Sequence, residues 1–311
     1  MEKQFLLFIV FIIMVVPAFS QSENEEDIDY TFETFRSPVV VNGQSVETNM
    51  KKNLNFEIYH RFGSVDQFFA GLDKKVNIRW GFSYGLTDDF TVGFGRSKFS
   101  GTWDFYGKAK LFKQSSGTKN MPVTFTVFSN FTMRSSSQGR EINGNNSGNG
   151  NGGGNGNGGN NGQGQSGERY LELDSYENAW NTQFLIARKF GEKFSLQLSP
   201  TVVYLFADND NIDKLHFALG FGARYKLNWR WSLLGEYYYS FSGIDAENTQ
   251  IKENYWGFGV EINTAMHTFH ITLGNSQFLN EDVFTVNNYS RTNQNYSPLH
   301  LGFNIIIRNY F

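Results

Sequence analysis

Five histidines, His60, His216, His267, His270 and His300, are the residues of this sequence best suited to hold a metal or move a proton. They are scattered over different segments. None pairs with another at the i, i+2 spacing that puts two ligands on one strand face, so no metal and no cofactor is expected. On the strand pattern set out below, His216, His270 and His300 point inward at different heights and read as polar filling. His60 points outward, where a lipid-cutting enzyme would need a base within reach of a nucleophile. Its nearest hydroxyls, Tyr59 and Ser64, lie on the other face or in a loop. The expectation is therefore no enzyme, with action on lipid as a remote alternative. The absence of cysteine removes thiolate chemistry and disulfides.

A second group is charged. Glu57, Arg61, Arg79, Asp104, Lys108, Arg224, Glu236, Glu261 and Arg308, with Lys110 and Lys226, all fall on the polar side of an alternating pattern. Lining a pore with more positive than negative charge, they would favour anions. Packed together, they would be an ion-pair network filling a narrow barrel. Arg308 is expected beside the Glu57/Arg61 face if the last strand closes on the first. The whole chain carries a net charge of −3, which gives no basic footprint for nucleic acid.

The elements that must position these residues are strands. Residues 1–20 read as a cleaved export signal: Lys3, twelve apolar residues from Phe5 to Val16, then Ala18-Phe19-Ser20. That run is shorter than the ~20 residues of a spanning helix. Residues 21–52 begin acidic and read as a periplasmic extension with a short strand at Val39–Val41; whether they enter a lumen is not fixed by their pattern. From residue 53 the chain alternates. Leu54, Phe56 and Ile58 oppose Asn55, Glu57 and Arg61; Val76, Ile78, Trp80 and Phe82 oppose Asn77, Arg79 and Gly81; Phe217, Leu219 and Phe221 oppose His216, Gly220 and Gly222. Period two is the strand signal, and it recurs to give twelve strands. The facing of the strand near 177–189 is not legible. Pro200 inside a strand predicts a bulge or a rim position.

Short turns alternate with longer links, as in outer-membrane barrels. An even strand number places both termini in the periplasm. The predicted fold is all-β, a transmembrane antiparallel up-and-down barrel over residues 53–311. Within it, residues 143–167 are 25 residues of Gly, Asn, Gln and Ser only, twelve of them Gly. They predict a disordered external loop spanning about 135–175.

Several segments carry a family resemblance: Phe56-Glu57-Ile58-Tyr59-His60-Arg61-Phe62-Gly63, Tyr84-Gly85-Leu86-Thr87-Asp88, Ile186-Ala187-Arg188-Lys189-Phe190, Ser195-Leu196-Gln197-Leu198-Ser199-Pro200-Thr201 and Gly302-Phe303-Asn304-Ile305. Over roughly residues 40–311 the chain resembles an uncharacterised bacterial barrel family, domain of unknown function 5777. It departs from that pattern at Ala265-Met266 and in its Gly/Asn insertion. The resemblance implies the outer membrane and supplies no activity. Expected partners are outer-membrane lipids and lipopolysaccharide, the barrel-assembly machinery, and an unidentified periplasmic or surface protein. Two functions remain open beside the remote enzyme: a small-solute channel with a weakly anion-favouring lumen, and a plugged structural or partner-docking barrel.

Overall fold

The computed structural model of the chain describes residues 28–65, 72, 76–135, 178–207, 214–241, 250–252, 254–285, 289–291 and 299–310. The expected export signal and the expected Gly/Asn-rich external loop lie outside them. Twelve strands close a single barrel: β1 Asn53–Ser64, β2 Asn77–Gly85, β3 Phe90–Ser97, β4 Trp103–Phe112, β5 Thr124–Met133, β6 Asn178–Phe190, β7 Phe194–Phe206, β8 Leu215–Lys226, β9 Trp231–Ser240, β10 Tyr255–Asn263, β11 His267–Gly274 and β12 His300–Tyr310. Each pairs antiparallel with its sequence neighbours, and β12 closes on β1 with Ile306 opposite Glu57. Closure leaves no open sheet edge, which is what permits strands to stand in lipid.

The alternation sorts side chains as the period-two pattern requires. In β1 Asn55, Glu57, Tyr59 and Arg61 are buried, while Leu54, Phe56, Ile58 and His60 keep partial exposure on the outside. Asn181, Gln183, Leu185 and Ala187 of β6 face in, and Phe184, Ile186 and Arg188 face out. Pro200 produces no bulge. Its register with β8 is unbroken at Leu219, and the ladder to β6 skips from Thr201 to Leu198 without an inserted residue. The missing N–H costs one local gap and leaves the strand's phase intact.

Inside the wall, charge is paired across strands. The Arg79 guanidinium of β2 reaches over β3 to Asp104 of β4, with Nε to Oδ2 at 2.9 Å and Nη2 to Oδ1 at 2.6 Å. Gly95 of β3 lies in between. A Cβ there would fall 2.4 Å from Arg79 Nη2, so only glycine lets the fork pass. Glu57 stands 3.6 Å from the same guanidinium and accepts hydrogen bonds from Tyr59 Oη and Ser83 Oγ, each at 2.8 Å. On the other side of the barrel Arg224 donates from Nε and Nη2 to Glu261 Oε1 at 3.0 and 2.9 Å.

Gly95→Val is expected to displace Arg79 and leave Asp104 buried without its partner. Breaking one side of a buried pair costs about 3–5 kcal/mol. The urea midpoint of the folded, heat-modifiable band on a gel should fall accordingly, whereas Gly259→Ala, whose Cβ would make only ordinary contacts at 3.5–3.6 Å, should move it far less.

Candidate functional site

The lumen is occupied by the chain itself. Ile28–Tyr30 pairs with Ser115–Gly117 beside the β4–β5 connection, at the barrel end that carries the short turns. From there residues 34–49 enter the barrel as a narrow hairpin and leave by the same end. Val40 N–H donates to the Gly43 carbonyl at 2.8 Å, and Ser45 N–H to the Pro38 carbonyl at 2.9 Å. The stretch Val39–Val41 is thus one arm of a turn, joined to the other by the single bridge Val39–Gln44, and not a strand. Asn42-Gly43 at its tip is a turn-forming pair.

The wall grips the backbone of this hairpin with its charges. Glu236 of β9 accepts from three successive amides, Val41 at 2.8 Å, Asn42 at 3.3 Å and Gly43 at 2.9 Å. Consecutive N–H groups converging on one carboxylate form an anion nest. Lys108 of β4 does the converse. Its Nζ donates to the carbonyls of Pro38, Ser45 and Glu47 at 2.9, 3.1 and 3.2 Å, which uses all three ammonium donors. Arg61 of β1 donates from Nη2 to Asn42 Oδ1 at 2.5 Å and to the Val41 carbonyl at 3.3 Å, and from Nη1 to Asn304 Oδ1 at 2.8 Å.

Neutral groups complete the ring of contacts. Gln197 of β7 accepts from Val46 N–H at 2.9 Å and donates to the Gln44 carbonyl at 2.7 Å. Thr126 of β5 donates to the Val46 carbonyl, and Asn304 of β12 to that of Val41. Side chains of β1, β4, β5, β7, β9 and β12 thus hold residues 38–47 of the hairpin.

Apolar contacts fill what the hydrogen bonds leave. Phe35, Val40, Val41 and Val46 pack with Tyr106, Phe128, Leu185 and Leu234 of the wall. Burying each such side chain contributes roughly 1.5–3 kcal/mol, more than a neutral hydrogen bond at ~1 kcal/mol net and comparable with one to a charged group. From the opposite end, residues 275–285 fold inward and carry the short helix Glu281–Phe284. Phe284 inserts between Tyr238 and Tyr255, with ring centroids 5.6 and 4.9 Å away. The two inserts meet: Asn42 Nδ2 donates to the Phe278 carbonyl at 3.1 Å and Gln44 Nε2 to Glu281 Oε1 at 2.8 Å. Arg134 and Asp282 form a buried ion pair at the rear of this loop.

The charged residues picked out by parity thus divide. Arg61, Lys108 and Glu236 hold the hairpin; Lys110 pairs with its Glu47 at 3.2 Å. Arg79, Asp104, Glu57, Arg224 and Glu261 pair within the wall. Arg308 stands opposite Asn55, on the inward face of β1 that also carries Glu57 and Arg61, and donates to the Arg36 carbonyl at 2.5 Å and to Thr268 Oγ1 at 3.1 Å. Lys226 is half-buried at the turn end of β8. Gln197, Thr126 and Asn304 were not singled out by type, since neutral amides and hydroxyls on the inner face look like ordinary filling, and Glu281 lies in a link that carries no period-two pattern. Apolar residues on the polar parity, Leu234 between Ser232 and Glu236 and Ile306 between Asn304 and Arg308, were the available signal that something apolar fills the lumen.

At the turn end a polar cavity of about 450 Å3 lies between the hairpin arms and the wall, bounded by Arg36, Glu47, Asp89, Lys110 and Lys113. Burial raises the Asp89 carboxyl above its ordinary range, against the opposing pull of Lys110 and Lys113. Among the outward histidines, His60 stacks on Phe303 at 4.9 Å and tilts against Phe62 at 4.3 Å. His270 sits inside, 3.5 Å from Glu261.

Lys108→Met keeps the length and removes the charge. Three hairpin carbonyls then lose their donor, and the hairpin is expected to loosen by about 2–4 kcal/mol at the ~1–3 kcal/mol cost of an unsatisfied buried group. Cleavage within residues 34–49 by an added protease should rise at least tenfold while the barrel strands stay protected.

Comparison with known proteins bears on the wall. The NanC porin aligns at 7% identity with a TM-score of 0.46, covering 83% of this chain and 99% of that one. The KdgM porin aligns at 9% and 0.41, covering 82% and 99%. An active-site mutant of outer membrane phospholipase A from Escherichia coli aligns at 8% and 0.41, covering 85% and 93%. At these levels none of the three speaks to what this chain does. No curated protein matches it. Residues 35–310 match the family model described as a membrane bound beta barrel domain. That match takes in the lumen hairpin together with the twelve strands, and the chain belongs to this family, domain of unknown function 5777.

Proposed function

We propose that the protein is a non-enzymatic channel of the bacterial outer membrane for small solutes, closed at rest by its own N-terminal hairpin and by the 275–285 insert that meets it. The observation that carries this reading is the independence of wall and plug. The twelve-strand ladder is complete without residues 34–49, and the hairpin enters and leaves through one end, held by side chains of the wall. Its withdrawal breaks no strand pairing in the ring. Both termini then belong at the turn end, on the periplasmic side, from which an exported chain inserts.

Withdrawal also sets the charge a solute would meet. Arg79–Asp104 and Arg224–Glu261 remain paired within the wall. Arg61, Lys108, Lys110 and Arg308 lose hairpin partners, against Glu236 and Glu281 among the acids. The opened lumen is left with a positive surplus, which favours anions.

A second reading, a permanently filled structural barrel, is favoured by the apolar packing of Phe35, Val40, Val41 and Val46. Planar-bilayer recording separates the two. The intact chain is expected to be silent, and a chain with residues 34–47 and 276–284 both replaced by Gly/Ser linkers should conduct steadily with a reversal potential shifted toward anions. Silence of the folded replacement, and of the double variant Glu236→Gln/Lys108→Met under applied voltage, would establish the filled barrel instead. A cation preference would overturn the charge argument.

A further inference from the structure

The outer surface of β6–β10 has one interruption in its bulky face. Strand register places Arg188, Leu196, Ala223, Gly235 and Phe258 side by side on successive strands. The next row toward the loop end reads Ile186, Leu198, Phe221, Tyr237 and Trp256, and the next toward the turn end Phe190, Phe194, Tyr225, Leu233 and Val260. Between these two rows of large side chains, Ala223 and Gly235 leave a hollow of about 580 Å3, within the ~300–1,000 Å3 range of small-ligand sites. A Cβ built on Gly235 would meet only the Phe258 ring, at 3.7 Å, so the floor has real space over it.

One end of the middle row is charged. Arg188 faces outward, exposed, with its guanidinium 5.3 Å from the Phe190 ring. It stands two strands from Ala223, about 10 Å at the ~4.8 Å strand spacing. It also lies two residues from the turn end of β6, where Phe190, Phe194, Trp229 and Trp231 mark an aromatic belt. Lys193 and Arg230 are exposed in the adjoining turns, with Glu192 the acid beside them. A cation fixed on an apolar membrane face needs an anion at headgroup depth, and an apolar hollow beside it needs hydrocarbon.

From this we infer that the β6–β10 face is a binding site for one anionic glycerophospholipid of the leaflet at the turn end, its phosphate on Arg188 and an acyl chain across Ala223 and Gly235. A cation and a chain-sized hollow in one registered row match the two halves of such a lipid.

Native mass spectrometry of the full chain in mild detergent, titrated with phosphatidylglycerol or phosphatidylcholine of identical chains, tests the assignment. The expected result is one retained phosphatidylglycerol per barrel, preferred about tenfold over phosphatidylcholine. Arg188→Gln should erase the preference, and Gly235→Leu should reduce retention of both lipids to background in a barrel that still shows the folded gel mobility. Ala223→Leu serves where Gly235→Leu does not fold. Equal retention of the two lipids by the unaltered chain, undiminished retention by the filled-hollow variants, or a dimer without bound lipid would each overturn it. None of these results depends on whether the lumen conducts.

Discussion

A charge turned into a closed barrel has no water to fall back on unless the lumen is open, and so must find its partner inside. The interior of this protein follows from that requirement. Acid and base either pair across the wall, as Arg79 does with Asp104 through the gap left by Gly95, or reach the polar backbone of a segment brought in from outside. Glu236 on β9 and Lys108 on β4 are complementary halves of that second solution. One collects amides and the other collects carbonyls, from opposite sides of the same turn. Neither has a charged partner of opposite sign at bonding distance in the wall, and each is satisfied by residues 38–47.

The hairpin is a good occupant because it offers both kinds of surface. Its backbone presents unpaired N–H and C=O groups that two short arms cannot satisfy between themselves, and its Val and Phe side chains meet Phe128, Leu185 and Leu234. Close approach is arranged by small residues. A Cβ on Gly43 would fall 2.3 Å from Tyr238 Oη, and one on Gly220 would fall 2.4 Å from the same ring. Tyr238 is thereby sandwiched between the wall and the hairpin tip, and it also meets Phe284 of the loop entering from the other end edge to face. The two inserts and the wall form one continuous packed interior.

The wall was legible in the sequence because period-two alternation is a local signal, repeated twelve times, and an apolar face on every strand with short turns alternating with longer links points to a closed barrel. Facing was lost only along β6, where Trp180, Phe184, Leu185 and Ile186 put apolar groups on both sides. The lumen was less legible. Parity identified Lys108 and Glu236 as inward, but an inward charge looks the same from sequence whether it lines water or grips a backbone. What decides between them is a contact 60 to nearly 200 positions away, as in Lys108 to Ser45 or Glu236 to Val41, and no local pattern carries it. Pro200 misled for a related reason: its missing N–H falls on one ladder only, so the strand tolerates it without a bulge.

The central claim, that residues 34–49 are part of the barrel interior, is tested most directly by amide hydrogen exchange on the full chain in lipid nanodiscs. Val41, Asn42 and Gly43 are predicted to exchange on the slow timescale of the barrel strands, and Glu236→Gln to speed all three by tenfold or more while leaving β1–β12 unchanged. Exchange of these amides at the rate of an unstructured peptide in the unaltered chain would contradict the account.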